Sequence, residues 1–96
     1  MTKNMYVEIV SPEATLFQGE ATAVTVPGIN GEFQMLENHA PIVSLLQEGE
    51  VRLQGDITLE EEHEARFTKG PKGETVLAIR SGTVEMKENK VIVLAD

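Results

Sequence analysis

The sequence predicts an all-β domain, an antiparallel β-sandwich of roughly eight to ten strands. Three observations carry the prediction. Apolar and polar residues alternate in short runs, helical periodicity is scarce, and turn-forming residues recur roughly every 6–12 positions. No linker, internal repeat or low-complexity tract interrupts the chain, so residues 1–96 read as one domain.

Met5-Tyr6-Val7-Glu8-Ile9-Val10 places Met5, Val7 and Ile9 on one face of a first strand, which Ser11-Pro12-Glu13 ends because proline cannot donate to a ladder. Thr15 to Gln18 reads as a short second strand closed by Gly19. In Glu20 to Val26 the residues Thr22, Val24 and Val26 line one side. Pro27-Gly28-Ile29-Asn30-Gly31 is dense in turn formers: Pro-Gly suits a type II turn, and Asn-Gly the primed turn of a tight hairpin. Glu32 to Leu36 follows as a strand, and Pro41 to Leu46 as an apolar run readable as a buried strand. Gln47 to Glu50 turns the chain into Val51 to Gln54.

Thr58 to Thr68 reads either as a short helix, because of its glutamates, or as a polar edge strand. Lys69 to Gly73 is a loop tip, and Thr75 to Arg80 is rich in β-formers up to the break at Ser81-Gly82. Thr83 to Met86 and Val91 to Leu94 make a terminal hairpin around Lys87 to Lys90.

Composition narrows the function. Sixteen acids against eight bases give a net charge of −8, which repels phosphate backbones and anionic headgroups. No nucleic-acid partner and no direct membrane insertion are expected, and basic or mixed-charge proteins are the favoured partners. No apolar run reaches the roughly 18–20 residues that span a bilayer, and Met1 to Tyr6 lacks the apolar stretch of a signal peptide. The absence of cysteine removes disulfides and thiolate metal sites.

Catalytic chemistry finds little to build on. His39 and His63 have no partners at zinc-ligand spacing, so no metal is expected. Gly70-Pro71-Lys72-Gly73 is too short for a phosphate-cradling loop and reads as a hairpin tip. Glu60-Glu61-Glu62 and Glu64 read as a solvated face rather than a carboxylate pair. His39, where a polar loop meets an apolar strand, has two readings. One is a structural imidazole bonded to nearby backbone, which the residues alone favour. The other is a loop residue displayed to a partner.

Gly31-Glu32-Phe33-Gln34-Met35-Leu36-Glu37-Asn38-His39-Ala40-Pro41 resembles the Gly-Glu and His-Ala-Pro signature of F-type ATP synthase epsilon subunits. Val10-Ser11-Pro12 with Leu16 to Gly19, Gly49 to Leu53, Ser81 to Met86 and Val91 to Asp96 are similar to that family's other motifs, in the same order. The resemblance covers almost the whole chain. Gln34 replaces a usual glycine, Glu37-Asn38 replaces Pro-Gly, Thr83 replaces the second glycine of Ser-Gly-Gly, and Gln54 to Glu74 is longer than usual. Asparagine tolerates the left-handed conformation a loop glycine would supply, so the turn at Asn38 is expected to survive.

The resemblance implies a non-catalytic central-stalk rotor subunit that docks on the gamma subunit and on the polar loops of the c-ring. It would couple ion translocation to ATP synthesis at the cytoplasmic face of the bacterial inner membrane, as a peripheral subunit, with no cofactor. It carries Asn30, Gly31, Glu32 and Phe33 to the ring-facing loop and His39 to the neighbourhood of gamma. The family's helical hairpin would follow Asp96, so a chain ending there, naturally or by shortening, is expected neither to inhibit ATP hydrolysis nor to bind ATP. The alternative reading is a stand-alone β-sandwich adaptor or ligand-binding module unrelated to ATP synthase.

Overall fold

A computed structural model describes residues 4–96; the tripeptide 1–3, part of the segment read as lacking a signal-like stretch, lies outside them. Ten strands follow one another: β1 (Met5–Val10), β2 (Thr15–Ala21), β3 (Ala23–Gly28), β4 (Gly31–Leu36), β5 (Ile42–Leu46), β6 (Gly49–Gln54), β7 (Phe67–Lys69), β8 (Thr75–Ile79), β9 (Gly82–Lys87) and β10 (Lys90–Ala95). One 3-10 turn, Glu61–Arg66, precedes β7. The ambiguous segment thus holds both a helical turn and a short edge strand.

The strands form a curled sheet with two five-stranded halves, β2-β1-β10-β9-β5 and β4-β3-β6-β8-β7. A single register pair, Gly28 opposite Leu46, joins β3 to β5 and hence one half to the other. Neighbours are antiparallel except β1 and β10, which run parallel with Tyr6 opposite Lys90 and Val10 opposite Leu94. Alternation reveals which face of a strand is apolar but not which strand lies beside it, so this pairing of the first and last strands was not legible in the residues.

Both halves turn their apolar faces onto one core. Met5, Val7 and Ile9 are fully buried, as the alternation predicts, and meet Val91 and Val93 from β10 and Val84 and Met86 from β9. From the other half come Val24, Val26, Met35, Val51, Leu53 and Leu77. No buried side-chain polar atom among the described residues lacks a partner, as dry cores require. Buried Thr75, for instance, accepts a hydrogen bond from Lys69 Nζ at 3.3 Å.

Three expectations are corrected. Gly19 does not end β2; it pairs with Val7 inside the strand, and the Phe17 ring lies where a Cβ at Gly19 would point. Thr22 is exposed rather than inward, because it forms the bend between β2 and β3 and donates its N–H to Gln54 O at 2.8 Å. The run Pro41 to Leu46 is not buried. In β5 only Leu46 is fully inside, while Val43 and Leu45 are 73 % and 59 % exposed.

The turns have identifiable causes. Glu88 and Asn89, at φ 52° and 61°, make the two-residue β9–β10 turn, and positive φ at both centres matches the right-handed strand twist. The loop 69–74 is closed by its own backbone, Gly70 N–H to Glu74 O at 2.8 Å and Gly73 N–H to Gly70 O at 3.0 Å. The Glu74 carboxylate accepts the Lys72 N–H at 2.8 Å. Backbone hydrogen bonds, first from Glu74's own amide and then from Lys72, hold its pKa below the ordinary 4.5.

Two predictions follow from the packing. A Cβ at Gly82 would run into Leu94 O, a backbone atom that cannot move independently of β10. Gly82→Ala should lower stability by about 1–3 kcal/mol, as overpacking does, read as a lower midpoint in urea unfolding. Glu74, with its folded pKa depressed, contributes to loop order above the unfolded pKa and loses that contribution as pH falls through the folded value. The Lys72 amide chemical shift should therefore titrate with a midpoint below 4.5 and stop titrating in Glu74→Gln; a midpoint at or above 4.5 would contradict the loop closure.

Candidate functional site

The residues singled out in the sequence fall into two places. Asn30, Gly31, Glu32 and Phe33 lie at the β3–β4 turn and the start of β4, whereas His39 lies beyond its far end. Six strand residues separate those ends, which at roughly 3.3 Å per residue is on the order of 20 Å. The structure gathers the first four and leaves His39 apart.

At the first place, Gly28 pairs with Gly31, so Ile29 and Asn30 form the turn. The expected primed turn centred on Asn30-Gly31 does not form: the turn centres on Ile29-Asn30, neither of which has positive φ. Asn30 keeps negative φ, and Gly31 takes the left-handed one at 124°. Gly28 is needed for space, since a Cβ there would lie 2.8 Å from both Gly31 O and the Phe33 ring. Phe33 is half-buried and packs against the core, which fixes the strand behind the turn. The Glu32 side chain is 49 % exposed, with Oε2 3.3 Å from Arg52 Nη1. Glu32 and Arg52 border an open groove of about 720 Å³ between the β3–β4 hairpin and the loop 69–74.

At the second place, Asn38 sits at φ 62°, taking the left-handed conformation expected of it. Its N–H donates to Asn89 Oδ1 at 2.5 Å, and Asn89 Nδ2 donates to Asn38 Oδ1 at 3.0 Å. Two left-handed turns far apart in sequence are thereby clasped together. The half-buried His39 donates its backbone N–H to Leu36 O at 3.1 Å. Its Nδ1 lies 2.7 Å from Ala40 O. A carbonyl only accepts, so Nδ1 carries the proton and a neutral ring keeps Nε2 as an acceptor. Both readings of His39 meet here: one nitrogen holds local backbone, and Nε2 makes no hydrogen bond among the described residues.

A third feature was missed in the sequence. Leu45 stands opposite Thr83, Thr83 opposite Leu94, and Leu94 opposite Val10, which forms one row across β5, β9, β10 and β1. Leu94 is 50 % exposed, and Val43 lies two residues from Leu45 on the same outward face. Exposed Ile29 donates its N–H to Leu45 O at 3.1 Å, which brings the row to the β3–β4 turn. The signal was available: β5 is apolar on both faces, although an antiparallel strand with one wet face should alternate. Thr83, where the resembled family has glycine, points outward in this row and meets no steric limit.

Metal and acid–base chemistry find no support. Among the described residues no group of three or more His, Cys, Asp or Glu could hold a metal ion. His63 Nε2 lies 3.9 Å from Glu62 Oε1 on the 3-10 turn, none of whose residues is buried.

Comparison with known proteins gives the family and the fold. The family described as ATP synthase, Delta/Epsilon chain, beta-sandwich domain matches residues 4–63. The ATP synthase epsilon chain of Campylobacter concisus (strain 13826) is 36% identical over 92 residues, covering 96% of this chain and 60% of its own. That of Neisseria meningitidis serogroup B is 36% identical over 96% of this chain and 56% of its own, so this chain spans less than two thirds of either relative. The epsilon chain of Chlorobium limicola is 33% identical, covering 98% of this chain and 91% of its own. In fold, a chain of the Euglena gracilis mitochondrial ATP synthase OSCP/F1/c-ring structure aligns over 99% of this chain and 52% of its own, with TM-score 0.74 and 15% identity. A chain of the Tetrahymena thermophila mitochondrial ATP synthase central stalk/c-ring structure aligns over 98% of this chain and 66% of its own, with TM-score 0.65 and 15% identity. By the family match over most of its length and the relatives that share it, this chain belongs to the ATP synthase delta/epsilon chain beta-sandwich domain family.

Proposed function

We propose that residues 1–96 act as one rigid, non-catalytic rotor domain of an F-type ATP synthase. It docks on the gamma subunit through the outer face of β5, β9, β10 and β1, and on the polar loops of the c-ring through Asn30 to Phe33. The observation that carries the reading is the exposed apolar row of Leu45, Leu94 and Val43. An apolar stripe on an otherwise acidic surface marks a face meant to be covered. Its apolar centre with a polar rim has the anatomy of a protein interface, and His39 opens the loop that leads into β5. The relatives' name, ATP synthase epsilon chain, supports partners within that complex, and gamma and the c-ring are the ones the family resemblance implies. Glu32 is exposed and adjacent to the turn at the end of that row, which suits a second, polar contact. In this reading the chain is peripheral at the cytoplasmic face of the bacterial inner membrane. The unrelated stand-alone adaptor falls with the family membership.

Leu45→Glu tests the apolar face. Leu45 is already 59 % exposed, so the isolated chain should change in stability by no more than about 0.5–1 kcal/mol. Its Kd for purified gamma should rise at least roughly tenfold, as loss of an interface anchor does; unchanged affinity by calorimetry would remove the face from the interface.

Glu32→Gln should alter stability by at most about 0.5 kcal/mol yet weaken association with the c-ring, most visibly at low ionic strength. Glu62→Gln, in the other acidic run, should do neither. Unfolding of Glu32→Gln would make the residue structural. Untouched assembly and ATP-driven ion pumping would end its assignment to the ring.

A further inference from the structure

Arg52 lies between two carboxylates on the outer face of the half built from β4, β3 and β6. Its Nη1 is 3.3 Å from Glu32 Oε2, and its Nη2 is 3.3 Å from Glu50 Oε1. To reach Glu32 the guanidinium crosses β3 at Thr25, its register partner, whose short side chain leaves the way open. Glu32 follows Gly31, beside which nothing stands within 4 Å of a notional Cβ. The Glu32 side chain itself is half exposed at the edge of the groove. An ion pair this exposed adds little to folding stability, so its effect lies in where it holds the side chain.

We infer that Arg52 is the positioning residue of the ring-facing contact, holding the Glu32 carboxylate in one place, while Glu50 leaves the three-residue unit with one net negative charge that still attracts a cationic or hydrogen-bond-donating partner group. This rests on the ring contact proposed for Glu32. A side chain already fixed loses less freedom on binding. The two terminal guanidinium nitrogens face one carboxylate each, an arrangement the single ammonium of lysine does not reproduce. Removing the clamp should therefore speed dissociation without slowing encounter, because net charge governs the latter.

The test is the binding kinetics of the chain and its variants to a purified gamma–c-ring subcomplex in detergent. Arg52→Gln should raise the dissociation rate roughly 2- to 10-fold, with association at low salt no slower. Arg52→Lys should restore the association rate but not the slow dissociation. Glu32→Gln combined with Arg52→Gln should dissociate no faster than Glu32→Gln alone. An unchanged dissociation rate in Arg52→Gln, or additive effects in the double variant, would overturn the inference. Side-chain couplings of Glu32 in the free chain report the clamp without any partner: one χ1 rotamer in the parent and averaging in Arg52→Gln support it, and averaging in both overturns it. If Glu32→Gln binds normally while the parent's rotamer is locked, the ring contact itself is wrong, and the role given to Arg52 falls with it.

Discussion

Two five-stranded halves share one dry core and touch along the sheet at a single register pair, Gly28 opposite Leu46. Everything else follows from that constraint. With so little hydrogen bonding between the halves, their relative placement depends on packing between Met5, Val7 and Val93 on one side and Val24, Met35 and Leu53 on the other. Close-packed interiors resist small displacements, so the domain behaves as one body even though its sheet is nearly divided. The inward positions are committed to that packing, and only outward ones remain for partners.

This division explains what the residues disclosed. Strands β1 and β6 were legible because inward Met, Val, Ile and Leu alternate with outward polar or partly exposed residues. The turn at Asn38 was legible from asparagine's tolerance of positive φ, and its neighbour in space, Asn89, shares that conformation. Strand β5 misled for a physical reason. An apolar run looks the same whether its second face meets a core or a partner chain, and only the fold shows that Val43 and Leu45 face outward. Gly19 misled likewise, because glycine serves close ring packing as readily as it serves a break. The parallel contact of β1 with β10 left no mark, since partner choice depends on the whole topology.

Of the candidate site, the resemblance offered residue names, and their spatial arrangement came only from the fold. Glu32 and His39 stand seven positions apart in a single motif, a spacing that does not fix the distance between them. Strand β4 lies between them and pulls them to opposite ends of the half-sheet. Arg52, which pairs with Glu32, comes from β6 and reaches it across β3, and Glu50, also from β6, pairs with Arg52. Side chains two strands away cannot be read from local spacing.

In the proposed rotor role, the separation of the two places decides how a load would cross the domain. A contact at the Glu32 end and another along the Leu45 row are useful to a rotor only if a load at one arrives at the other without bending the domain between them. In that role the path would run through β3 and β5, which meet at Gly28 and Leu46, where one side-chain bond and one backbone bond of Gln47 meet the end of β3. Gln47 Nε2 donates to Gly28 O at 2.9 Å, and the Gln47 N–H donates to Pro27 O at 2.9 Å. Pro27 in turn occupies the space that a Cβ at Gly49 would need. The thinnest part of the sheet is thus tied by two backbone bonds, Gln47 N–H to Pro27 O and Ile29 N–H to Leu45 O, and by the Gln47 side chain on Gly28 O.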